Sequence, residues 1–446
     1  MKFAAAMFLA VVLLTTPCRA ITTLTDDDIP ISAPAACLME QETGTVIYEK
    51  DAHTPRHIAS VTKVMTLLLI MEAIDSGSLK WTDSVTGTAH AASMGGSQIW
   101  LEEGETMTAE EMVKCITVVS ANDCSVAMAE HLCGTEDAFV RRMNERAAEL
   151  GMEHTHFTNC TGLFDADDHY ACAYDVAIMA RELMSHEDIK RFSTIWMDTA
   201  RNGEFGLSNT NKLIHNYKGA TGLKTGFTDG AMYCLAATAE RDGDAYVAAV
   251  LGADTSANRF DSASTLLSFA FAGYTLCDLT ELLPLPTVPV ALGKEAYVQP
   301  VYGAESKTLL EKSGASLLRC VPSLPADLEA PITEGQSIGT VQIYVGDTML
   351  TEIPVHAGKD IPRMSVWDIY KLMLQTRWRG FTHINPSPLV EANCVRQFFS
   401  VSSEAKQAGE HSSPLHCSSP AFCPNFRTQF VHKPQLLYLH FANFRV

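Results

Sequence analysis

The residues best suited to chemistry are a serine and a lysine three positions apart, Ser60 and Lys63, at the start of an apolar stretch. Residues 60–75 are apolar on nearly all sides, which predicts a buried helix. Residues three apart share one face of a helix, so the Lys63 ammonium can reach the Ser60 hydroxyl. A serine hydroxyl is a weak nucleophile until a neighbouring base takes its proton. The pair therefore predicts Ser60 as the nucleophile and Lys63 as its base. Burial and a second cation nearby would both disfavour the charged form of Lys63.

Two further short motifs follow in order, Ser120-Ala121-Asn122 and Lys224-Thr225-Gly226. Ser120 lies between two helix-like segments, where a loop could point inward. The third motif begins a strand-rich region, and Lys224 is the natural second cation beside Lys63. The alternative for Lys63 is a charge at a helix end without a function. Burying such a lysine on an apolar helix would be costly, which disfavours this alternative.

Each motif is weak when taken alone, because this chain also contains spare copies. Ser403 to Lys406 repeats the first pattern and Ser256 to Asn258 repeats the second, whereas Lys-Thr-Gly occurs once. The spare copies lie in a polar tail and after the third motif, so neither fits the order. The order and context of the three motifs favour a functional interpretation.

The three motifs resemble the set found in penicillin-binding proteins and β-lactamases. The surrounding residues resemble the low-molecular-weight penicillin-binding proteins, serine-type D-alanyl-D-alanine carboxypeptidases of the peptidase S11 type, over roughly residues 30–375. The matching segments are Ile58–Lys63, Ser120–Asp123, Asn159–Leu163, His169–Tyr170, Ala173–Asp175 and Gly222–Thr228. The resemblance implies a β-lactamase/transpeptidase-like fold and removal of the terminal D-alanine from peptidoglycan pentapeptides, with β-lactams trapped at the same serine.

The motif side chains then take roles in that reaction. Ser120 could relay the proton to the leaving group, and Asn122 could hold the substrate amide. Lys224 and Thr225 could bind the terminal carboxylate that an exopeptidase must recognise.

Other roles concern the backbone and one arginine. Gly226 lets substrate backbone lie along the strand. The N–H groups of Ser60 and Phe227 are the expected oxyanion hole, which places donors where negative charge develops. The resemblance also implies that Arg259 helps to bind the carboxylate; the alternative is an ordinary surface arginine.

The pattern of elements predicts an α+β catalytic domain over residues 30–280, an antiparallel sheet flanked by a helical cluster. Strand patterns at 35–49 and 233–251 enclose helical ones, and Asp242-Gly243 predicts a tight hairpin turn. Prolines at 284, 286 and 289 mark a linker. Short strand-like pieces over 288–360 predict a small all-β domain.

The segments at the two ends of the chain carry separate predictions. Residues 1–20 combine Lys2, an apolar run and a small residue, which is typical of a secretory signal peptide. Residues 363–379 predict an amphipathic helix, either a membrane-surface anchor or a helix packed on the β domain. The tail at 381–446 has no periodicity, and its status stays open.

Composition narrows the function classes. The chain has 446 residues and a formal net charge of −19, which disfavours nucleic-acid binding. Its 13 cysteines show no zinc spacing, which suggests a reducing setting outside the cell, although one disulfide stays possible. Cys124 and Cys160 stand where the resemblance leads us to expect small or turn residues.

Several alternatives stay open. The same residues could serve a β-lactamase, although no clear Glu motif for deacylation lies between the second and third motifs apart from the presence of Glu182. They could also serve an endopeptidase that cuts cross-links. A catalytically idle muropeptide or penicillin sensor is also possible, and a metallopeptidase has only His154 and His156 in its favour. We expect an exported enzyme on the outer face of the cell membrane, without metal or organic cofactor.

Overall fold

The computed structural model describes residues 23–279, 283–303 and 307–371. The predicted signal peptide at 1–20 and the tail at 381–446 lie outside the described residues. The described residues up to Asp368 belong to one compact unit.

The elements are numbered in chain order. The strands are β1 Ala35–Glu40, β2 Val46–Lys50, β3 Ser84–Thr86, β4 Thr106–Thr108, β5 Met197–Ala200, β6 Phe205–Ser208, β7 Ala220–Thr228, β8 Met232–Arg241, β9 Asp244–Ala253, β10 Tyr274–Asp278, β11 Val288–Ala291, β12 Tyr297–Val298, β13 Pro300–Tyr302, β14 Lys307–Glu311, β15 Leu318–Ser323, β16 Leu328–Glu329, β17 Ser337–Val345 and β18 Thr348–Ala357. The helices are α1 Lys63–Asp75, α2 Ala89–Ala92, α3 Ala109–Val119, α4 Asn122–Cys133, α5 Glu136–Glu149, α6 Ala173–Ser185, α7 Lys190–Ser193, α8 Leu213–Asn216, α9 Ser256–Gly273 and α10 Lys312–Ala315.

A five-stranded antiparallel sheet in the order β2-β1-β9-β8-β7 forms the centre of the first part of the chain. Strand β1 reads Ala-Ala-Cys-Leu-Met-Glu and is buried along its whole length. Successive side chains of a strand point to opposite faces, so an uninterrupted buried run means that both faces are covered. The sheet is therefore an inner layer, and β7 forms one of its edges.

Different helices cover the two faces of this sheet. Cys37, Ala236 and Ala249 belong to the core shared with α1, α3, α4 and α6. Leu38 and Ala248, one position along their strands, belong to the core shared with α9. The predicted α+β class, with a helical cluster against an antiparallel sheet, is confirmed.

Local signals in the sequence set where several elements begin and turn. The Thr108 hydroxyl accepts a hydrogen bond from the Glu111 N–H and caps α3, which is the first half of a Thr-x-x-Glu capping box. Glu111 does not reach back to complete the box, because its carboxylate accepts the Arg201 N–H instead. Asp242 and Gly243 both have positive φ at the β8–β9 turn, which fits the predicted tight hairpin.

The second part of the chain is built mainly of strands. It contains a four-stranded sheet in the order β13-β18-β17-β15 and a three-stranded sheet in the order β12-β11-β16. These strands enclose their own apolar core, which includes Val298, Val341 and Val355. The antiparallel pairing of β10 with β14 ties this part to the end of α9.

The described part of the predicted amphipathic segment is helical from residue 366 to residue 371. Val366 and Trp367 are exposed there. Among the described residues, none of the helices has the length and apolar character needed to cross a membrane.

Helix α1 carries the packing on which the site depends, and its burial gives a direct test. Leu67 is fully buried, whereas Ile74 near the end of the same helix is partly exposed. We expect Leu67→Ala to lower the free energy of unfolding by about 2–5 kcal/mol, because the change leaves a cavity. The control Ile74→Ala should cost clearly less in the same urea titration, and equal losses would contradict the packing described here.

Candidate active site

Ser60 stands in a single 3-10 turn, Ala59–Thr62, that leads directly into α1. The helix proper begins at Lys63, so the nucleophile candidate precedes the helix that the sequence predicted it to open. Lys63 Nζ nevertheless lies 3.1 Å from Ser60 Oγ. The predicted contact between the two side chains is therefore present in the structure, with the turn supplying the spacing.

The Lys63 ammonium is fully buried and is surrounded by oxygen atoms. Its Nζ donates to Asn122 Oδ1 at 2.5 Å and to the Thr161 carbonyl at 2.8 Å. Burial lowers the pKa of Lys63 to about 7, against the raising effects of Cys160 and Asp123. Desolvation, more than a second cation, is thus what makes this lysine able to accept a proton near neutral pH.

The second motif occupies the junction between α3 and α4. Ser120 ends α3 in the left-handed conformation, with φ of 64°, and Asn122 is the first residue of α4. Asn122 Nδ2 donates to the Gly95 carbonyl at 2.7 Å, which turns its oxygen towards Lys63. Ser120 Oγ is buried, and no described residue gives it a hydrogen-bond partner.

The third motif lies on the edge strand β7. Gly226 passes so close to the nucleophile turn that a Cβ there would lie 2.6 Å from the Ile58 carbonyl and 3.1 Å from the Ser60 nitrogen. Only glycine fits this position without displacing the turn. Thr225 Oγ1 donates to Thr210 Oγ1 at 2.7 Å. The strand and the nucleophile turn are therefore in direct contact at Gly226.

Lys224 brings a second buried cation to the site. Its Nζ donates to the Thr225 carbonyl at 3.0 Å. Burial lowers the pKa of Lys224 well below its ordinary value, and the positive charges of Lys63 and Arg259 lower it further. An anion bound here would oppose all three effects, so the site is electrostatically suited to a carboxylate.

Phe227 and Arg259 flank the end of the third motif. The Phe227 side chain is 49% exposed and its ring lies 4.4 Å from that of Tyr233. Arg259 is only 8% exposed, which disagrees with the alternative of an ordinary surface arginine. Its Nη1 donates to the Gly226 carbonyl at 3.0 Å and to the Cys234 carbonyl at 3.3 Å.

Sequence reasoning assigned no role to several residues that support the site. The Thr161 carbonyl, the Thr62 hydroxyl and the His169 ring all take part in hydrogen bonds around the nucleophile turn. Asp123 accepts the N–H groups of Ile99 and Leu101 and fixes the loop beside Asn122. All four residues lie inside segments that match the family, namely Ile58–Lys63, Ser120–Asp123, Asn159–Leu163 and His169–Tyr170, and this match was the signal that could have indicated them.

The cysteines near the site are thiols. All nine cysteines among the described residues are unpaired, and Cys124 and Cys160 are fully buried. Burial raises the pKa of both thiols well above the ordinary value. These departures from the expected small residues therefore add volume to the core without adding charge.

The fold and the motif geometry define a serine enzyme of the DD-peptidase and β-lactamase class. The chain belongs to the D-alanyl-D-alanine carboxypeptidase family, whose model matches residues 21–255. A second model, the C-terminal domain of penicillin-binding protein 5, matches residues 284–363.

Similar proteins agree with this assignment. The chain is 42% identical over 337 residues to the D-alanyl-D-alanine carboxypeptidase DacF of Bacillus subtilis, covering 74% of this chain and 86% of the relative. It is 29% identical over 374 residues to DacA of Escherichia coli K12, covering 78% and 89%. Penicillin-binding protein 5 from Haemophilus influenzae has a similar structure, with a TM-score of 0.65, 25% identity and coverage of 75% and 98%.

The lowered pKa of Lys63 gives a prediction on pH. A lysine must be neutral to take the Ser60 proton, so the rate of Ser60 acylation should rise as the pH increases through about 7. Stopped-flow measurement of acylation by a fluorescent penicillin from pH 5 to 9 would record this rise in rate. Lys63→Arg, which stays charged, should lack it; a flat wild-type profile would show that Lys63 is not the base.

Gly162 gives a second prediction. It has φ of 68°, and a Cβ there would lie 1.9 Å from the Ala59 carbonyl oxygen. We expect Gly162→Ala to displace the nucleophile turn, lowering both the melting temperature and the extent of penicillin labelling. Gly151 is the matched control, with φ of 72° and open space around its Cβ direction. Gly151→Ala should bear only the backbone strain, on the order of 1–2 kcal/mol, and should label normally.

Proposed function

We propose that the chain is a serine D-Ala-D-Ala carboxypeptidase that removes the terminal D-alanine from peptidoglycan stem peptides. The observation that carries the proposal is the buried Lys63 Nζ, 3.1 Å from Ser60 Oγ, beside the Lys224–Gly226 edge strand. Membership of the D-alanyl-D-alanine carboxypeptidase family supports the same reaction.

Acylation follows from these positions. Ser60 Oγ attacks the carbonyl carbon of the penultimate D-alanine while its proton passes to Lys63 Nζ. The N–H groups of Ser60 and Phe227 hold the oxyanion that forms. The peptide bond then breaks. Ser120 passes its proton to the leaving amine of the terminal D-alanine and takes the proton held by Lys63 in exchange. Water hydrolyses the resulting ester and restores the Ser60 hydroxyl.

Recognition of the substrate rests on the remaining motif residues. Asn122 holds the substrate amide, and the substrate backbone lies along Gly226. The terminal carboxylate binds at Lys224 and Thr225, and its charge compensates for the burial of the lysine. Arg259 contributes positive charge from behind Gly226.

β-Lactams acylate the same serine in this proposal. Penicillin-binding protein D2 from Listeria monocytogenes, which is 30% identical with a TM-score of 0.50 and covers 55% of this chain and 99% of its own, has been solved in an ampicillin-bound form. Glu182 gives no support to the β-lactamase alternative, because its carboxylate accepts a hydrogen bond from Arg146. Arg146 also donates to Glu72, which lies near the end of α1 opposite to Ser60. An endopeptidase or an idle sensor with the same site would differ from the proposed carboxypeptidase only in which substrate, if any, it turns over.

We also propose the cellular setting that the sequence indicates. The signal-like residues 1–20 support export, and the exposed Val366 and Trp367 support contact of residues 363–379 with a membrane surface. The catalytic domain is assigned to residues 30–280 and the small β domain to residues 288–360. The enzyme would then act on the wall from the outer face of the membrane.

The function is tested by incubating the protein with diacetyl-Lys-D-Ala-D-Ala and measuring free D-alanine. We expect release by the wild type and a loss of more than about a thousandfold in Ser60→Ala, because the nucleophile is removed. Ser403→Ala is the matched control, since Ser403 heads the spare Ser-x-x-Lys pattern. Penicillin labelling without D-alanine release would indicate the idle sensor instead, and release from a cross-linked dimer alone would indicate the endopeptidase.

A further inference from the structure

A buried histidine lies directly behind the nucleophile turn and has no part in the proposed chemistry. His169 is 2% exposed and belongs to the segment that follows Gly162. Its Nε2 lies 2.8 Å from Thr62 Oγ1. Thr62 Oγ1 in turn lies 2.8 Å from the Ala59 carbonyl oxygen and donates to it. One hydrogen-bond relay thus joins the histidine to the residue before Ser60.

The direction of this relay is fixed by a backbone donor. The Thr158 N–H lies 3.0 Å from His169 Nδ1 and can only donate, so Nδ1 carries no hydrogen. The neutral ring therefore has its hydrogen on Nε2 and donates it to Thr62 Oγ1. Because Nε2 is the donor in that contact, the Thr62 hydroxyl does not need its own hydrogen there and donates it to the Ala59 carbonyl.

The Ala59 carbonyl and the Ser60 N–H are parts of one rigid peptide unit. A trans peptide is planar, with its C=O and N–H pointing in opposite directions. Holding the carbonyl on the Thr62 side therefore aims the Ser60 N–H away from it. That N–H is one of the two oxyanion donors in the proposed function, on which this inference rests.

Ala59 is also a place where such an anchor is needed. Its φ is 47°, in the left-handed region that non-glycine residues rarely adopt. A residue held in this way costs on the order of 1–3 kcal/mol and persists only where its surroundings over-determine it. Gly162 packs closely against the same carbonyl and against Thr62 Oγ1. The relay is the side-chain contribution to holding this peptide, beside the 3-10 turn itself and the packing of Gly162.

We propose that His169 is a positioning residue, which orients the Ser60 N–H through Thr62 and so sets the strength of the oxyanion hole. The neutral ring suits this role, because a protonated Nδ1 would face the Thr158 N–H. Burial, aided by the neighbouring imidazoles of His156 and His57, lowers the pKa of His169 to about 4. The relay is therefore intact throughout the neutral range.

Four variants of the full chain test the proposal. His169→Leu removes the donor and Thr62→Val removes the hydroxyl with little change of shape. Both should lower kcat for D-alanine release, and the rate of acylation by a fluorescent penicillin, by about tenfold to a hundredfold with KM nearly unchanged, because a donor aimed at the oxyanion acts mainly in the transition state. His169→Gln keeps an N–H donor towards Thr62 and should recover most of the rate.

Thr66→Val is the matched control for a purely structural effect. Thr66 is equally buried on α1, and its hydroxyl donates to the Cys160 carbonyl of the same supporting segment at 2.7 Å. It should lose a comparable amount of melting temperature while kcat stays within about twofold of the wild type, because it is not linked to the Ser60 N–H. If His169→Leu does not fold, Thr62→Val decides the question.

Three results would overturn the proposal. They are a wild-type kcat in Thr62→Val, a loss of kcat in Thr66→Val as large as that in Thr62→Val, or a folded His169→Gln protein whose kcat is no higher than that of His169→Leu. A wild-type protein that releases no D-alanine would instead defeat the proposed function. The two failures are therefore distinguishable in the same set of assays.

Discussion

The structure depends on keeping the Lys63 ammonium out of water. A buried lysine is costly unless polar partners replace its hydration, and here the partners come from three separate places: the Ser60 hydroxyl, the Asn122 amide and the Thr161 carbonyl. Each is needed to satisfy the lysine, and the lysine in turn holds all three together. A polar network of this kind rigidifies a site when it is complete and destabilises it when one member is lost. Catalytic geometry and stability are thus tied to the same few contacts.

The position of the third motif explains how a substrate can reach this buried centre. β7 is an edge strand, and a free strand edge is normally a liability because it invites pairing with other chains. An extended peptide bound beside Lys224 and Gly226 would satisfy that edge through main-chain hydrogen bonds. The same edge could therefore bind the backbone of many peptides, while in the proposed function Lys224 selects an end that carries a carboxylate.

Much of this architecture could be predicted from the sequence, for identifiable physical reasons. The apolar run after Ser60, the Thr-x-x-Glu cap and the Asp-Gly turn are local signals, and each corresponds to an observed element. The three motifs come together in the structure, although their individual roles stay predictions. The support from Thr161, Thr62 and His169 could not be predicted, because it depends on a carbonyl direction and a ring tautomer. Such features arise from tertiary packing and leave no periodicity in the chain.

The order of strands in the sheet has a consequence for how the molecule forms. β1, the earliest strand, lies inside the sheet and pairs with β9, so that Ala35 meets Leu251. Closing so long a loop costs entropy before any contact repays it, and chains dominated by distant pairings fold slowly. The half that contains the nucleophile has only the β1–β2 pair to pack against until β7 to β9 have been synthesised. A growing chain therefore gains its core late and nearly all at once, and fragments that end before residue 253 should remain open to proteases and to aggregation.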